Sequence, residues 1–155
     1  MTYKISICDD MKQDTQYIAS AVKKWAEQEN VCVDIHTFPS AESFLFDYAE
    51  QKDYDILLLD IEMSSMNGVE LAKRIRQDND AVQIVFITGY SDFMAEGYEV
   101  SALHYLMKPV AFDKLSKALN RAADKLNKTE KSVIISVDGE RLRIAISDIV
   151  SVEAF

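Results

Sequence analysis

Asp55-Ile56-Leu57-Leu58-Leu59-Asp60 decides the fold. Its unbroken aliphatic centre leaves no polar face for water, so the segment reads as a strand covered on both sides, as in the middle of a parallel sheet. Downstream, Val82 to Ile87 is a second buried run, ending at Thr88-Gly89, and Ala102 to Met107 is a strand stopped by Lys108-Pro109. Upstream, Tyr3 to Cys8 is a β-type run that stops at the paired acids Asp9 and Asp10. Val31 to Thr37 alternates Val31, Val33 and Ile35 against Cys32, Asp34 and His36, as a half-exposed strand does.

Helical spacing fills the intervals. Met11, Thr15, Ile18, Val22 and Trp25 recur at steps of four and three. Pro39-Ser40 opens a short helix carrying Phe44, Leu45 and Tyr48, with Ser40 as its N-cap but without the Glu or Gln of a capping box. Asn67-Gly68 precedes a helix over Val69 to Asp78, and Ser91 to Val100 is a weakly amphipathic helix interrupted by Gly97. Phe112, Leu115, Leu119, Ala122 and Leu126 mark a long final helix. Five βα units in succession require an α/β, doubly wound, five-stranded parallel sheet with helices on both faces and right-handed crossovers.

The 155 residues are 48% hydrophobic and 28% charged, enough to bury a sizeable core. The formal net charge of −9 opposes nonspecific binding to nucleic acid or anionic membranes. No apolar run approaches the ~20 residues of a membrane span, and the N-terminus lacks a signal-peptide pattern, so a cytoplasmic home with no membrane partner is expected. Cys8 and Cys32, placed on neighbouring parallel strands, stand roughly 13 Å apart, too far for a disulfide, and are expected to be buried reduced thiols. His36 and His104, the only histidines, have no zinc-ligand spacing.

In a doubly wound sheet the functional crevice lies at the carboxyl ends of the strands. There the chain places Asp9 and Asp10 after strand one, Asp60 after strand three, Thr88 after strand four, and Lys108-Pro109 after strand five. Each residue alone has an ordinary explanation: an N-capping aspartate, a solvated lysine, a strand threonine. Together they converge on one rim. Carboxylates a few ångströms apart repel by several kcal/mol per pair at an effective dielectric of ~20, and a hard divalent cation relieves this. All-oxygen ligation favours Mg²⁺. Three aspartates, one Mg²⁺ and Lys108 sum to zero charge, leaving a carboxylate oxygen ready for in-line attack on phosphorus. Asp60 ends the central, most buried strand and is the natural nucleophile, while Asp9 and Asp10 suit metal ligation. Thr88 and Lys108 are placed to contact phosphoryl oxygens.

Cys8-Asp9-Asp10, Leu59-Asp60-Ile61, Thr88-Gly89 and Lys108-Pro109 resemble the receiver domain of bacterial two-component response regulators, over residues 1 to about 128. The resemblance, not the patterning, implies a flavodoxin-like strand order of 2-1-3-4-5. It implies phosphorylation of Asp60 by a sensor histidine kinase, with Mg²⁺ held by Asp10, Asp60, the backbone carbonyl of Glu62 and, through water, Asp9. It also implies a cis Lys108–Pro109 bond and a switch in which the Thr88 hydroxyl moves onto the phosphoryl group as the Tyr105 ring turns inward. Phosphorylation-dependent homodimerisation belongs to the same expectation. So does a chain that is a phosphoryl acceptor with slow self-dephosphorylation, not a dedicated enzyme. Ser64 stands where the family usually has Pro, which leaves the loop after Asp60 less constrained. Glu62 and Tyr90 occupy variable positions beside the phosphoryl group, and the Glu62 side chain is expected to influence the attacking water.

Residues 129–132 read as a linker, and the pattern then changes. Val133 to Val137, Asp138-Gly139 and Glu140 to Ile146 form a hairpin pattern, with a third short strand expected over Ser147 to Glu153. Residues 133–155 resemble the opening strands of a LytTR DNA-binding domain, cut off. Lys131, Arg141 and Arg143 face Glu130, Asp138, Glu140, Asp148 and Glu153, so this tail has no basic footprint, and DNA binding is expected only through the missing remainder of that domain. Competing readings are weaker. A flavodoxin-like cofactor binder wants a Ser/Thr/Gly-rich loop where Asp9-Asp10 stand, and a Mg²⁺-dependent aspartyl-phosphate hydrolase leaves those two acids unexplained. A receiver acting only through protein contacts would differ from a DNA-binding regulator in the length of chain after Phe155.

Overall fold

The computed structural model describes residues 2–89, 99–131, 133–137 and 140–144. Strands β1 (Thr2–Cys8), β2 (Cys32–Phe38), β3 (Ile56–Leu59), β4 (Gln83–Thr88) and β5 (His104–Met107) form one parallel sheet in the order 2-1-3-4-5. Helices α1 (Lys12–Glu29), α2 (Ala41–Tyr48), α3 (Gly68–Arg76) and α4 (Phe112–Lys131) complete the described elements of this α/β fold. The expected helix around Gly97 falls mainly on residues 91–98, outside the described residues, as does Tyr90.

The continuous apolar strands behave as their composition requires. Every residue of β3 is buried, and so is β4 from Ile84 onward. Alternation then sends successive side chains to opposite faces. Leu57, Leu59, Ile84 and Phe86 share a core cluster with Phe44 and Tyr48 of α2 and Leu71, Ala72 and Ile75 of α3. Ile56, Leu58, Val85 and Ile87 point the other way; Ile18, Val22 and Trp25 of α1 and Leu115, Ala118 and Leu119 of α4 are also buried. Burying side chains of this size stabilises by about 1.5–3 kcal/mol each, so two such faces make a substantial core.

Local chemistry sets the helix ends. Asn67 Oδ1 accepts from the Glu70 N–H at 2.9 Å and Glu70 Oε1 accepts from the Asn67 N–H at 3.3 Å, which starts α3 directly behind the Asp60 loop. Ser40 and Ser43 exchange the same two bonds, at 3.1 and 3.3 Å, so α2 does carry a capping box. The Ser43 hydroxyl serves in place of the usual Glu or Gln. Two further expectations need correction. Cys32 is exposed, because it stands on the polar side of the alternation in the outermost strand. Met11 is 55% exposed and precedes α1, leaving Ile18, Ala21, Val22, Trp25 and Ala26 as that helix's buried face. Cys8 is buried, and desolvation pushes its thiol up to about 12, with Ser6 opposing and Asp9 reinforcing the shift. Its register partner is Phe38, whereas Cys32 pairs with Thr2 at the other end of the ladder.

The chain divides into two compact units, residues 1–119 and 120–155. The second holds the end of α4 and an antiparallel pair, β6 (Val133–Val137) and β7 (Glu140–Ile144), with Val133 opposite Ile144 and Val137 opposite Glu140. The Asp138-Gly139 turn and the strand expected over 147–153 lie outside the described residues. Among the described residues no helix is long and apolar enough to cross a membrane.

Candidate functional site

The ladder continues one residue past each strand, and that extension places the site. The Asp9 N–H donates to Phe38 O at 3.1 Å, the Asp60 N–H to Cys8 O at 2.9 Å, and the Lys108 N–H to Thr88 O at 2.9 Å. Each chemically distinctive residue is thus tied to sheet geometry at its backbone while its side chain leaves the strand end. Asp9, Asp60 and Thr88 are 3%, 6% and 0% exposed, unusual burial for two carboxylates. Asp10 is exposed.

Asp9, Asp10 and Asp60 each offer a carboxylate oxygen, and the three oxygens lie within 4.8 Å of one another. A purely oxygen donor set that close suits a hard divalent cation and no soft one. The group fits. Asp9 serves its own loop as well: Oδ1 accepts from the Met11 N–H at 2.9 Å, and Thr15 Oγ1 donates to Asp9 O at 3.3 Å. Asp60 Oδ1 accepts from the Glu62 N–H at 3.3 Å. Glu62 itself is exposed and, with Asp10, Met11 and Ser64, lines a crevice of about 660 Å³ that includes Asp60 and Lys108.

Lys108 closes the arrangement. Its ammonium donates to Asp14 Oδ2 at 2.7 Å, Asp9 Oδ2 at 2.8 Å and Asp60 Oδ2 at 2.9 Å, using all three of its protons. Burial alone would lower the Lys108 pKa, but the bonds to Asp14, Asp9 and Asp60 outweigh it and drive it well above the ordinary lysine value. Burial raises the Asp9 pKa; the Lys108 and Met11 hydrogen bonds oppose that shift, and the Asp60 charge adds to it. The rim therefore holds buried like charges that a single ammonium only partly compensates.

Asp14 and Gly68 are the contributions missed from sequence. Asp14 lies one helical turn beyond Asp10, at the start of α1, and an Asp-Asp-x-x-x-Asp spacing across a helix start was the available signal. A Cβ on Gly68 would run into the carbonyl oxygen of Asp60 and come within 3.0 Å of Ile61 Cα, so α3 packs against the Asp60 backbone only because that residue has no side chain. Gly89 is different: a Cβ there would meet nothing within 4 Å. The Lys108–Pro109 bond is cis. Phe86 and Tyr105 face each other across β4 and β5 with ring centroids 6.0 Å apart, and Tyr105 is half-buried.

Comparison with known proteins bears on family and fold. The chain is 30% identical over 130 residues to the transcriptional regulatory protein NatR of Bacillus subtilis, covering 84% of this chain and 53% of that protein. It is 36% identical over 100 residues to the sensory transduction protein LytT of Oceanobacillus iheyensis, covering 61% of this chain and 39% of that one. It thus spans about half or less of the length of these relatives. The response regulatory domain of mrkE from Klebsiella pneumoniae superposes with a TM-score of 0.71 at 24% identity, over 79% of this chain and 97% of that domain, a likeness of fold. Residues 5–120 match the response regulator receiver domain, and the chain belongs to that family.

Proposed function

We propose that this chain accepts a phosphoryl group on Asp60 from the phosphohistidine of a sensor histidine kinase, in a Mg²⁺-dependent reaction. The observation that carries the reading is one buried carboxylate, Asp60, hydrogen-bonded at 2.9 Å to Lys108 and grouped with Asp9 and Asp10. Asp10, Asp60 and the Glu62 carbonyl would hold the cation directly and Asp9 through water; when bound, it screens the negative charge of the incoming phosphoryl group.

The chain's own residues do the rest. An Asp60 oxygen attacks phosphorus in line, the P–N bond to the donor imidazole breaks, and the imidazole leaves with the electron pair. Lys108 exchanges its bond to Asp60 for one to a phosphoryl oxygen, and the Thr88 hydroxyl donates to another. The movement of Thr88 allows the Tyr105 ring to turn inward, changing the surface around β5 and biasing the chain toward a homodimer. The protein is a phosphoryl acceptor that releases phosphate slowly by itself, not a dedicated enzyme, and its work is in the cytoplasm.

The domain reading is a receiver over 1–128, a linker over 129–132 and the opening of a LytTR-type DNA-binding domain over 133–155. The antiparallel pairing of β6 and β7 and the transcriptional and sensory relatives support it. In a longer chain the receiver would then control transcription. The test is incubation with acetyl phosphate and Mg²⁺ followed by intact mass. An adduct of about 80 Da is expected on wild type, with none on Asp60→Asn; an adduct of equal yield on the variant rejects Asp60 as acceptor.

A further inference from the structure

We infer that Asp14 is a positioning residue that holds Lys108 on the α1 side of the crevice and slows phosphoryl transfer to Asp60. This rests on Asp60 being the acceptor.

Three carboxylates share the Lys108 ammonium, and they are not equivalent. Asp9 and Asp60 belong to the oxygen cluster suited to a divalent cation, whereas Asp14 does not. A cation held by the cluster would share the Asp9 and Asp60 carboxylates with Lys108, whereas the bond to Asp14, at 2.7 Å the shortest of the three, lies outside that cluster. Asp14 and Lys108 both line the crevice that holds Asp60, and both also border a second cavity of about 290 Å³ with Tyr17, Ile18, Ile87 and Val110, so this pairing anchors the ammonium on the α1 side of the crevice. A second bond fixes the same helix to the same loop: Tyr17 Oη donates to Val110 O at 2.7 Å, one turn along α1 from Asp14.

Asp14 therefore acts on the reaction in two ways. It competes with a phosphoryl oxygen for a Lys108 proton, and it adds a negative charge where an anionic donor must approach. Its side chain is 42% exposed, so solvent screens the charge and the effect is moderate. A purely structural role, that of an acid favoured at a helix N-terminus, predicts something else: a small loss of stability with no change in rate.

The experiment compares wild type, Asp14→Asn, Asp14→Glu and Asp60→Asn as full chains, with acetyl phosphate at saturating Mg²⁺ and adduct formation followed by mass. Asp14→Asn is expected to react about three- to tenfold faster, the scale of removing one partly screened charge. Asp14→Glu, which keeps the charge, shows a smaller gain, and the gap between wild type and Asp14→Asn narrows at about 0.5 M salt. Calorimetry without phosphodonor supplies an independent readout. Asp14→Asn leaves Lys108 fewer partners besides Asp9 and Asp60 and removes a nearby charge, so its Mg²⁺ Kd rises about threefold. If wild type forms the adduct and Asp14→Asn reacts no faster, the role of Asp14 is overturned and the acceptor stands. If wild type forms no Asp60-dependent adduct, both fall.

Discussion

At the amino end of the sheet Lys4 donates to Asp53 Oδ1 at 2.7 Å and Gln51 Oε1 at 2.9 Å, with its ammonium 4.4 Å from the centre of the Tyr54 ring. At the carboxyl end Lys108 donates to three carboxylates at nearly the same distances. Both are lysines among acids at strand ends, yet the two rims are physically different. The Asp53 side chain is 74% exposed, whereas those of Asp9 and Asp60 are 1% and 6% exposed. Water solvates the acid at the first rim whether or not the lysine is there. At the second rim the acids depend on the lysine, and on any cation that joins it. Lysine–acid pairing is thus no mark of function by itself; pairing that leaves buried negative charge in excess is.

Removing each lysine tests that contrast most directly. Lys108→Met leaves Asp9 and Asp60 buried side by side without the ammonium they share. Losing one partner of a buried ion pair costs about 3–5 kcal/mol, and the partial exposure of Lys108 places the expected loss nearer 2–4 kcal/mol by urea unfolding in chelator. Millimolar Mg²⁺ recovers part of that loss. A loss below about 1 kcal/mol in chelator would mean that the two rims do not differ in kind.

The contrast was half legible in the sequence. Strand positions followed from apolar runs such as Leu57 to Leu59, because sheet burial writes itself as uninterrupted hydrophobicity. Asp9, Asp60, Thr88 and Lys108 stood out because they end or directly follow such runs, and the backbone ladder extends only one residue further. The strand order did not follow from pattern, since crossovers fix handedness but not which edge each new strand joins. Asp14 was hidden because an acid in a first helical turn normally faces solvent; only the approach of Lys108, 94 residues away in sequence, gives it a partner. Gly68 read only as the residue before a helix, and its tighter constraint exists only once α3 docks on the Asp60 carbonyl. Cys32 shows a local pattern overriding a general habit: alternation places it with Asp34 and His36, and that outweighs the usual burial preference of cysteine.

Asp9 sharpens the comparison in the opposite direction. Its raised pKa means that the folded protein binds the Asp9 proton more tightly than the unfolded chain does. Stability from this group is fully present below the ordinary aspartate value of 3.8 and is lost as pH rises through the higher folded value. At neutral pH ionised Asp9 is therefore a net burden in metal-free protein. Asp9→Asn keeps an acceptor for the Met11 N–H and leaves Lys108 paired with Asp14 and Asp60, so it is expected to raise the melting temperature at pH 7 in chelator. The gain shrinks as pH falls toward about 4, the ordinary aspartate range, which thermal unfolding across that range would follow. A gain independent of pH would point to packing instead of charge.

The smallest effect is expected at the other rim. Lys4→Met removes the ammonium but keeps an unbranched stem beside Tyr54, where a thioether also packs well against an aromatic ring. The backbone bond from the Lys4 N–H to Asp55 Oδ2, at 2.8 Å, does not depend on the side chain. Asp53 returns to water at little cost, because exposed ion pairs contribute little once side-chain ordering is counted. The melting temperature is expected to move by no more than about 2 °C, with no dependence on Mg²⁺. Should Lys4→Met instead approach the loss caused by Lys108→Met, burial would not be what separates the rims, and the excess negative charge around Asp60 would lose its claim to be the distinguishing feature of the site.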